Sequence, residues 1–272
     1  MSPFRASPGV TGEWGHFGFT VEDGVATVTL DRPEKLNALT FDVYADLRDL
    51  VAELPHRGDA KVLVLRGTGR GFCSGGDVEE IIGELQSMAA AELLEFTRMT
   101  GAVVRALREC PMPVIAAVNG VAAGAGSVLA LAADFRLLAE EASFSFLFTK
   151  VGLAGADMGS AYLLPRLVGL GRATELLILG ERVDAARAEQ LGLGTVVDDL
   201  PAAAESLARR LADGPALAYS MTKVLLTREQ DLDLASSIEL EAISQALLMK
   251  STDHAEFYAA WSAGRPPVWR GR

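Results

Sequence analysis

Two stretches of the chain run from a strand-like apolar segment, through glycines, into a helix-like segment: VLVLRGTGRGFCSGGDVEEI (62–81) and VIAAVNGVAAGAGSVLALAAD (114–134). A helix N-terminus presents unpaired N–H groups and a partial positive charge. A corner with few side chains therefore suits an anion, or an oxygen that gains negative charge during a reaction. Neither corner supplies the lysine of a nucleoside-triphosphate loop. GVAAGAG follows a strand and opens a helix, but its spacing is not that of the GxGxxG dinucleotide fingerprint. Tight packing of helix on sheet is the competing explanation for each corner taken alone.

Other chemistry-bearing residues are sparse. Cys73 and Cys110 stand far apart without a CxxC pattern, which points to a reducing compartment and no disulfide. His16, His56 and His254 lack metal-ligand spacing, so no metal is expected. The formal charge of −11 argues against nucleic acid as a partner. No apolar run of signal-peptide or membrane length is present, and a cytoplasmic location is expected.

The elements that must position the corners can be read from the pattern. FGFTVEDGVATVTLD alternates around Asp23-Gly24, which predicts a hairpin of residues 17–21 and 25–31. LTFDVYADLRDLVAEL places Leu39, Val43, Leu47, Leu50 and Leu54 at helical spacing behind a Thr40 cap. KVLVLRG and PVIAAVNG are short continuous apolar runs, as strands of a parallel sheet covered on both faces would be. A helix over 91–109 ends before Pro111, Asp77 reads as the cap of a helix starting at Val78, and from about residue 172 the pattern is almost wholly helical. The division is a loose lead-in over 1–16, an α/β core over 17–200 and a helical region over 201–272.

Four blocks, RPEKLNAL (32–39), GRGFCSGGDVEEI (69–81), the 113–134 stretch and GLGRATELLILGERVDAARAEQLGLGTVV (169–197), resemble in order and spacing the crotonase superfamily, also called the enoyl-CoA hydratase/isomerase family. The resemblance runs from about Phe17 to Arg272. It implies a ClpP/crotonase-like α/β spiral of ββα turns with a C-terminal helical appendage that forms trimers or dimers of trimers. It also implies an acyl-CoA substrate and no separate cofactor. The thioester carbonyl would lie between the N–H groups of Gly76 and Ala125. Lys35, Leu36, Ser74, Gly75 and Gly124 would line the CoA and substrate path. Ala125 departs from the family's usual glycine, and Gly264 stands in place of its usual lysine, with Arg265 beside it.

A family hydratase uses two glutamates. Here Val128 and Phe148 fall at those places, and neither can transfer a proton. Aligned back from LPRLVG, Asp157 takes the position of the working aspartate of the family's dienoyl-CoA isomerases and aromatic-CoA dehalogenase; aligned forward from Gly152 the match is Ala156. Asp157 is the candidate base or nucleophile, or alternatively the cap of a helix beginning near Met158. Glu80 is the second candidate acid, and Phe148 points to a flat or aromatic acyl group. Isomerisation, atypical hydration or lyase chemistry and thioester hydrolysis are the expected reactions, in that order. A noncatalytic CoA-thioester binder is the rival.

Overall fold

The computed structural model describes Arg5 and residues 14–271. Apart from Arg5 and residues 14–16, the expected lead-in lies outside the described residues. In chain order the strands are β1 (Gly18–Glu22), β2 (Val25–Leu30), β3 (Val62–Gly67), β4 (Gly71–Cys73), β5 (Val114–Val118), β6 (Val121–Ala123), β7 (Phe135–Leu138), β8 (Ser143–Ser145), β9 (Val183–Asp184) and β10 (Thr195–Val196). They form two sheets, β1-β2-β3-β5-β7-β10 and β4-β6-β8-β9.

The connectivity is a spiral. β3, β5 and β7 enter the first sheet in turn, each paired parallel to the last, and each is followed by a short strand, β4, β6 or β8, that enters the second sheet. Helices then carry the chain to the next turn, as parallel neighbours require. The hairpin of β1 and β2 closes on Asp23 and Gly24, with φ of 48° and 81°, the left-handed pair that matches strand twist.

The continuous apolar runs are explained by burial on both faces. On β3, Leu63 and Leu65 face the central core with Leu47, Leu50 and Leu54 of the helix Phe41–Arg57, while Val62 and Val64 meet Ala208, Leu211 and Ala212 of the helix Leu200–Ala212. Thr40 caps the first of these helices by accepting from Val43 N at 3.3 Å. Phe72, Phe144 and Phe146 are fully buried. Each such ring contributes at most about 4–6 kcal/mol of transfer free energy.

Two features depart from the sequence pattern. The stretch after residue 172 contains β9 and β10, two residues each, too short to leave a periodic signal. Lys223, on the helix Ala216–Arg228, is buried and donates to Leu107 O (3.1 Å) and Met112 O (2.9 Å), with Asp134 Oδ2 at 2.7 Å. All three ammonium protons are thereby directed to acceptors, which is what makes a buried lysine tolerable. Among the described residues no helix is long and apolar enough to cross a membrane.

One packing constraint bears directly on the corners. A Cβ built on Gly126 would lie 2.0 Å from Cys73 O, so the helix Ala125–Ala132 can approach β4 only with glycine there. Gly83, by contrast, has open space. Replacing Gly126 by alanine is expected to lower the unfolding free energy by about 1–3 kcal/mol through overpacking, and Gly83→Ala to leave it unchanged or raise it slightly. Chemical denaturation of the two variants checks this; equal stabilities would refute the close approach.

Candidate active site

The first corner is held from behind by the 32–39 loop. Leu36 and Asn37 both take the left-handed conformation, with φ of 50° and 58°. The buried Asn37 amide donates to Thr68 O (2.9 Å) and Gly71 O (2.8 Å) and accepts from Arg32 N (2.9 Å). Ser74 N donates to Leu36 O at 2.9 Å, and Ser74 Oγ to Lys35 O at 3.1 Å. Leu39 N then donates to Gly75 O (2.7 Å), and Asp77 N to Leu39 O (2.9 Å). These bonds fix the loop around Gly76, while the Gly76 N–H has no acceptor among the described residues.

Asp77 is structural, as its position predicts. Its Oδ1 accepts from Glu79 N and Glu80 N at 2.9 and 3.1 Å. Burial pushes its carboxyl up, but those two N–H bonds and Arg32 outweigh burial and hold it below the ordinary carboxylate value. Arg32 also binds Glu80 at 2.7 Å. Glu80 is therefore held in an exposed ion pair with Arg32. Lys35 pairs with Glu79, which raises its pKa.

At the second corner Gly124, with φ of 51°, donates its N–H to Ser145 O at 2.8 Å and leads into the helix Ala125–Ala132. Ala125 is the first helical residue, so its N–H has no intrahelical partner. The corners touch: a Cβ on Gly75 would lie 3.0 Å from Ala123 O and 3.5 Å from Ala125 N. One on Gly124 would lie 4.0 Å from Gly75 Cα and 3.9 Å from Phe148 Cε1. Phe148 is buried beside this junction, and Val128 lies fully buried on the helix behind it. Burial pushes the Cys73 thiol up to about 12, so it remains protonated beneath the site.

Asp157 does not cap the helix Ser160–Val168, whose N-cap is Gly159 without a side-chain bond. Its Oδ1 accepts from Met158 N at 2.8 Å, its N–H donates to Ser160 Oγ at 3.1 Å, and its carbonyl accepts from Ser160 N at 2.9 Å. The turn so formed holds Met158 at φ 50°, a left-handed conformation uncommon outside glycine. Oδ2 has no partner among the described residues. Asp157 is half-buried, and burial, countered in part by the Met158 N–H, raises its pKa.

Sequence reasoning missed Asn37 and Ser160, whose side chains fix the backbone of the first corner and of the Asp157 turn. An asparagine two residues after Lys35 in a non-helical loop is the signal for Asn37, since asparagine tolerates the left-handed region. Ser160 has no comparable signal. A separate cavity of about 750 Å³ lies between β7 and the helix Ala216–Arg228, lined by Arg108, Asp134, Arg136 and Lys223 among others, and contains none of the corner residues.

The family described as enoyl-CoA hydratase/isomerase matches residues 20–272. A relative from Escherichia coli (strain K12) named 1,2-epoxyphenylacetyl-CoA isomerase is 37% identical over 255 residues, covering 93% of this chain and 97% of its own. A crystal structure of a candidate enoyl-CoA hydratase from Streptomyces coelicolor A3(2) is 62% identical, covers both chains completely and superposes with a TM-score of 0.95. That of an enoyl-CoA hydratase from Bacillus anthracis is 28% identical over 95% of this chain and 100% of its own, with a TM-score of 0.88. Matches of this extent in both sequence and fold leave one assignment: the chain belongs to the enoyl-CoA hydratase/isomerase family of the crotonase superfamily and is an acyl-CoA enzyme.

Proposed function

We propose that the protein isomerises acyl-CoA thioesters by proton transfer through an enolate, with Gly76 and Ala125 as the oxyanion hole and Asp157 as the base. The observation that carries this reading is the contact between the two corners, each leaving one backbone N–H unclaimed. The thioester oxygen accepts from both N–H groups, and the dipole of the Ala125–Ala132 helix favours the charge that develops on it. Asp157 Oδ2 takes a proton from an acyl carbon, and the electrons of that C–H bond pass into the enolate. The proton then returns at a second carbon, the double bond moves, and Asp157 ends ionised as it began. No electron is gained or lost overall.

Two-glutamate hydration is not the reading we favour, because the family resemblance puts Val128 and Phe148 at the places of those glutamates. Phe148 against Gly124 forms a flat wall for the acyl group, and the name of the Escherichia coli relative agrees with an aromatic acyl-CoA and an isomerisation. The loop of Lys35 and Leu36, with Ser74, Gly75 and Gly124, is the proposed path of the CoA moiety. The helices after residue 212 are the proposed trimer contacts. Leu234, Ile238, Leu247, Met249, Tyr258 and Trp261 are each at least half exposed there, an apolar surface that a lone chain would leave in water.

Asp157→Asn is expected to lower turnover of a responsive enoyl-, dienoyl- or arylacyl-CoA by about 10²- to 10⁴-fold while thioester binding persists. Unchanged turnover removes Asp157 from the mechanism, and binding without turnover by the wild type across such a panel favours a noncatalytic binder. In the wild type the acid limb of kcat/KM should fall above the ordinary carboxylate range, since burial raises the Asp157 pKa and the base must be ionised.

A stability measurement gives the same sign independently. With the folded pKa raised, the native state binds more protons than the unfolded chain between the two values. The penalty is therefore absent below the ordinary carboxylate pKa and complete above the raised one. Asp157→Asn should be more stable than the wild type at neutral pH, with the difference closing as pH falls through that window. Solution mass should be three or six times that of one chain, and a monomer at micromolar concentration overturns the proposed contacts.

A further inference from the structure

The cavity of about 750 Å³ between β7 and the helix Ala216–Arg228 has a wall of two kinds. Five cationic side chains, Arg108, Arg136, Arg166, Arg210 and Lys223, line it against one carboxylate, Asp134, in a chain whose formal charge is −11. Much of the remaining wall is apolar, with Leu163, Leu167, Leu211 and Leu226 from three helices. Leu226 is exposed, so the cavity reaches the surface.

Asp134 does not neutralise this set. Its Oδ1 pairs with Arg108 at 3.2 Å, and its Oδ2 takes Lys223 at 2.7 Å and the Val114 N–H at 2.8 Å. Arg166 pairs with Asp231 at 3.1 Å. Among the described residues no carboxylate lies within ion-pairing distance of Arg136 or Arg210. Arg136 is half-buried and donates to main-chain carbonyls, Nε to Leu193 O at 2.6 Å and Nη1 to Ala133 O. Burial, opposed by Asp134 and reinforced by Arg108, pulls its guanidinium down to about 10. The group is still charged at neutral pH, and a shielded charge without a counter-ion is costly.

An anion in the cavity supplies that counter-charge, and a guanidinium offers a carboxylate two parallel N–H donors. A small inorganic anion would leave the leucine wall in water. A ligand with one anionic group and an apolar body satisfies both parts of the wall, and the volume is in the usual range for a small-molecule site. We propose that this cavity is a binding site, separate from the two corners, for a monocarboxylic acid with an apolar body. The carboxylate pairs with Arg136 and Arg210, and the body lies against the leucines.

The test is calorimetric binding of octanoate, of 1-octanol and of inorganic phosphate to the wild type, to Arg136→Gln and to Arg210→Gln, with thermal denaturation of all three proteins. The wild type should bind one octanoate per chain, about 10-fold or more tighter than either octanol, which lacks the charge, or phosphate, which lacks the body. Arg136→Gln should weaken octanoate about 10-fold and Arg210→Gln about 3-fold or more, with octanol unaffected. Arg136 also holds the Ala133 and Leu193 carbonyls, so its variant is expected to melt lower. Arg210 is exposed and carries no such bonds, and its variant should melt with the wild type. Octanoate affinity unchanged in Arg210→Gln overturns the proposal, whatever becomes of Arg136→Gln. So does octanol or phosphate binding as tightly as octanoate, or no octanoate binding at millimolar concentration.

Discussion

The site depends on how closely two turns of the spiral can approach. Cys73, at the end of β4, turns its carbonyl toward Gly126, and the 2.0 Å left for a Cβ there admits no side chain. That approach sets the start of the Ala125–Ala132 helix directly beside Gly75. Two backbone segments nearly fifty residues apart then share one small volume. The parallel pairing of β4 with β6, and of β3 with β5, is what keeps both in register.

Around this junction, polar groups are assigned with little redundancy. Asn37, Ser74 and Asp77 are used up fixing loops, Arg32 and Lys35 are drawn into ion pairs with Glu80 and Glu79, and Cys73 is held as a thiol. Asp157 stands apart because only one of its oxygens is engaged, and because burial opposes its charge. For Asp157 as the proposed base, a raised pKa makes a better proton acceptor than a solvated carboxylate, and the same burial makes the ionised form a cost to the fold. The turn around Asp157 also holds Met158 at positive φ, a local strain next to the proposed base.

What the sequence disclosed follows from the range over which each feature acts. The hairpin, the Thr40 and Asp77 caps and the doubly buried strands are set by neighbours within a few residues, and their residue types announce them. Gly76 and Ala125 were legible as corners, but each was open to a bland packing explanation. Gly126 shows that the packing explanation is also true, one residue away. The role of Asp157 as a turn-former instead of a cap was hidden, because the choice depends on where the next helix begins, and that is decided by Gly159 and Ser160. β9 and β10 were invisible because two residues carry no period, and their pairing is made by distant strands.

The unclaimed groups have an energetic meaning of their own. The proposed oxyanion hole leaves the amides of Gly76 and Ala125 without internal partners, and whatever part of either is shielded from water is a cost to the fold. The core can support this, since Phe72, Phe144 and Phe146 alone bury three aromatic rings completely beside it. Closing those amides internally would stabilise the protein and remove the donors. Donors fixed in place before an oxyanion forms need not reorganise when it does, which is where such a site gains its advantage over water. The bareness of the second corner thus serves two ends at once: Gly126 lets the helix come close, and the lack of bulk at Gly124 and Ala125 leaves the N–H uncovered once it has arrived.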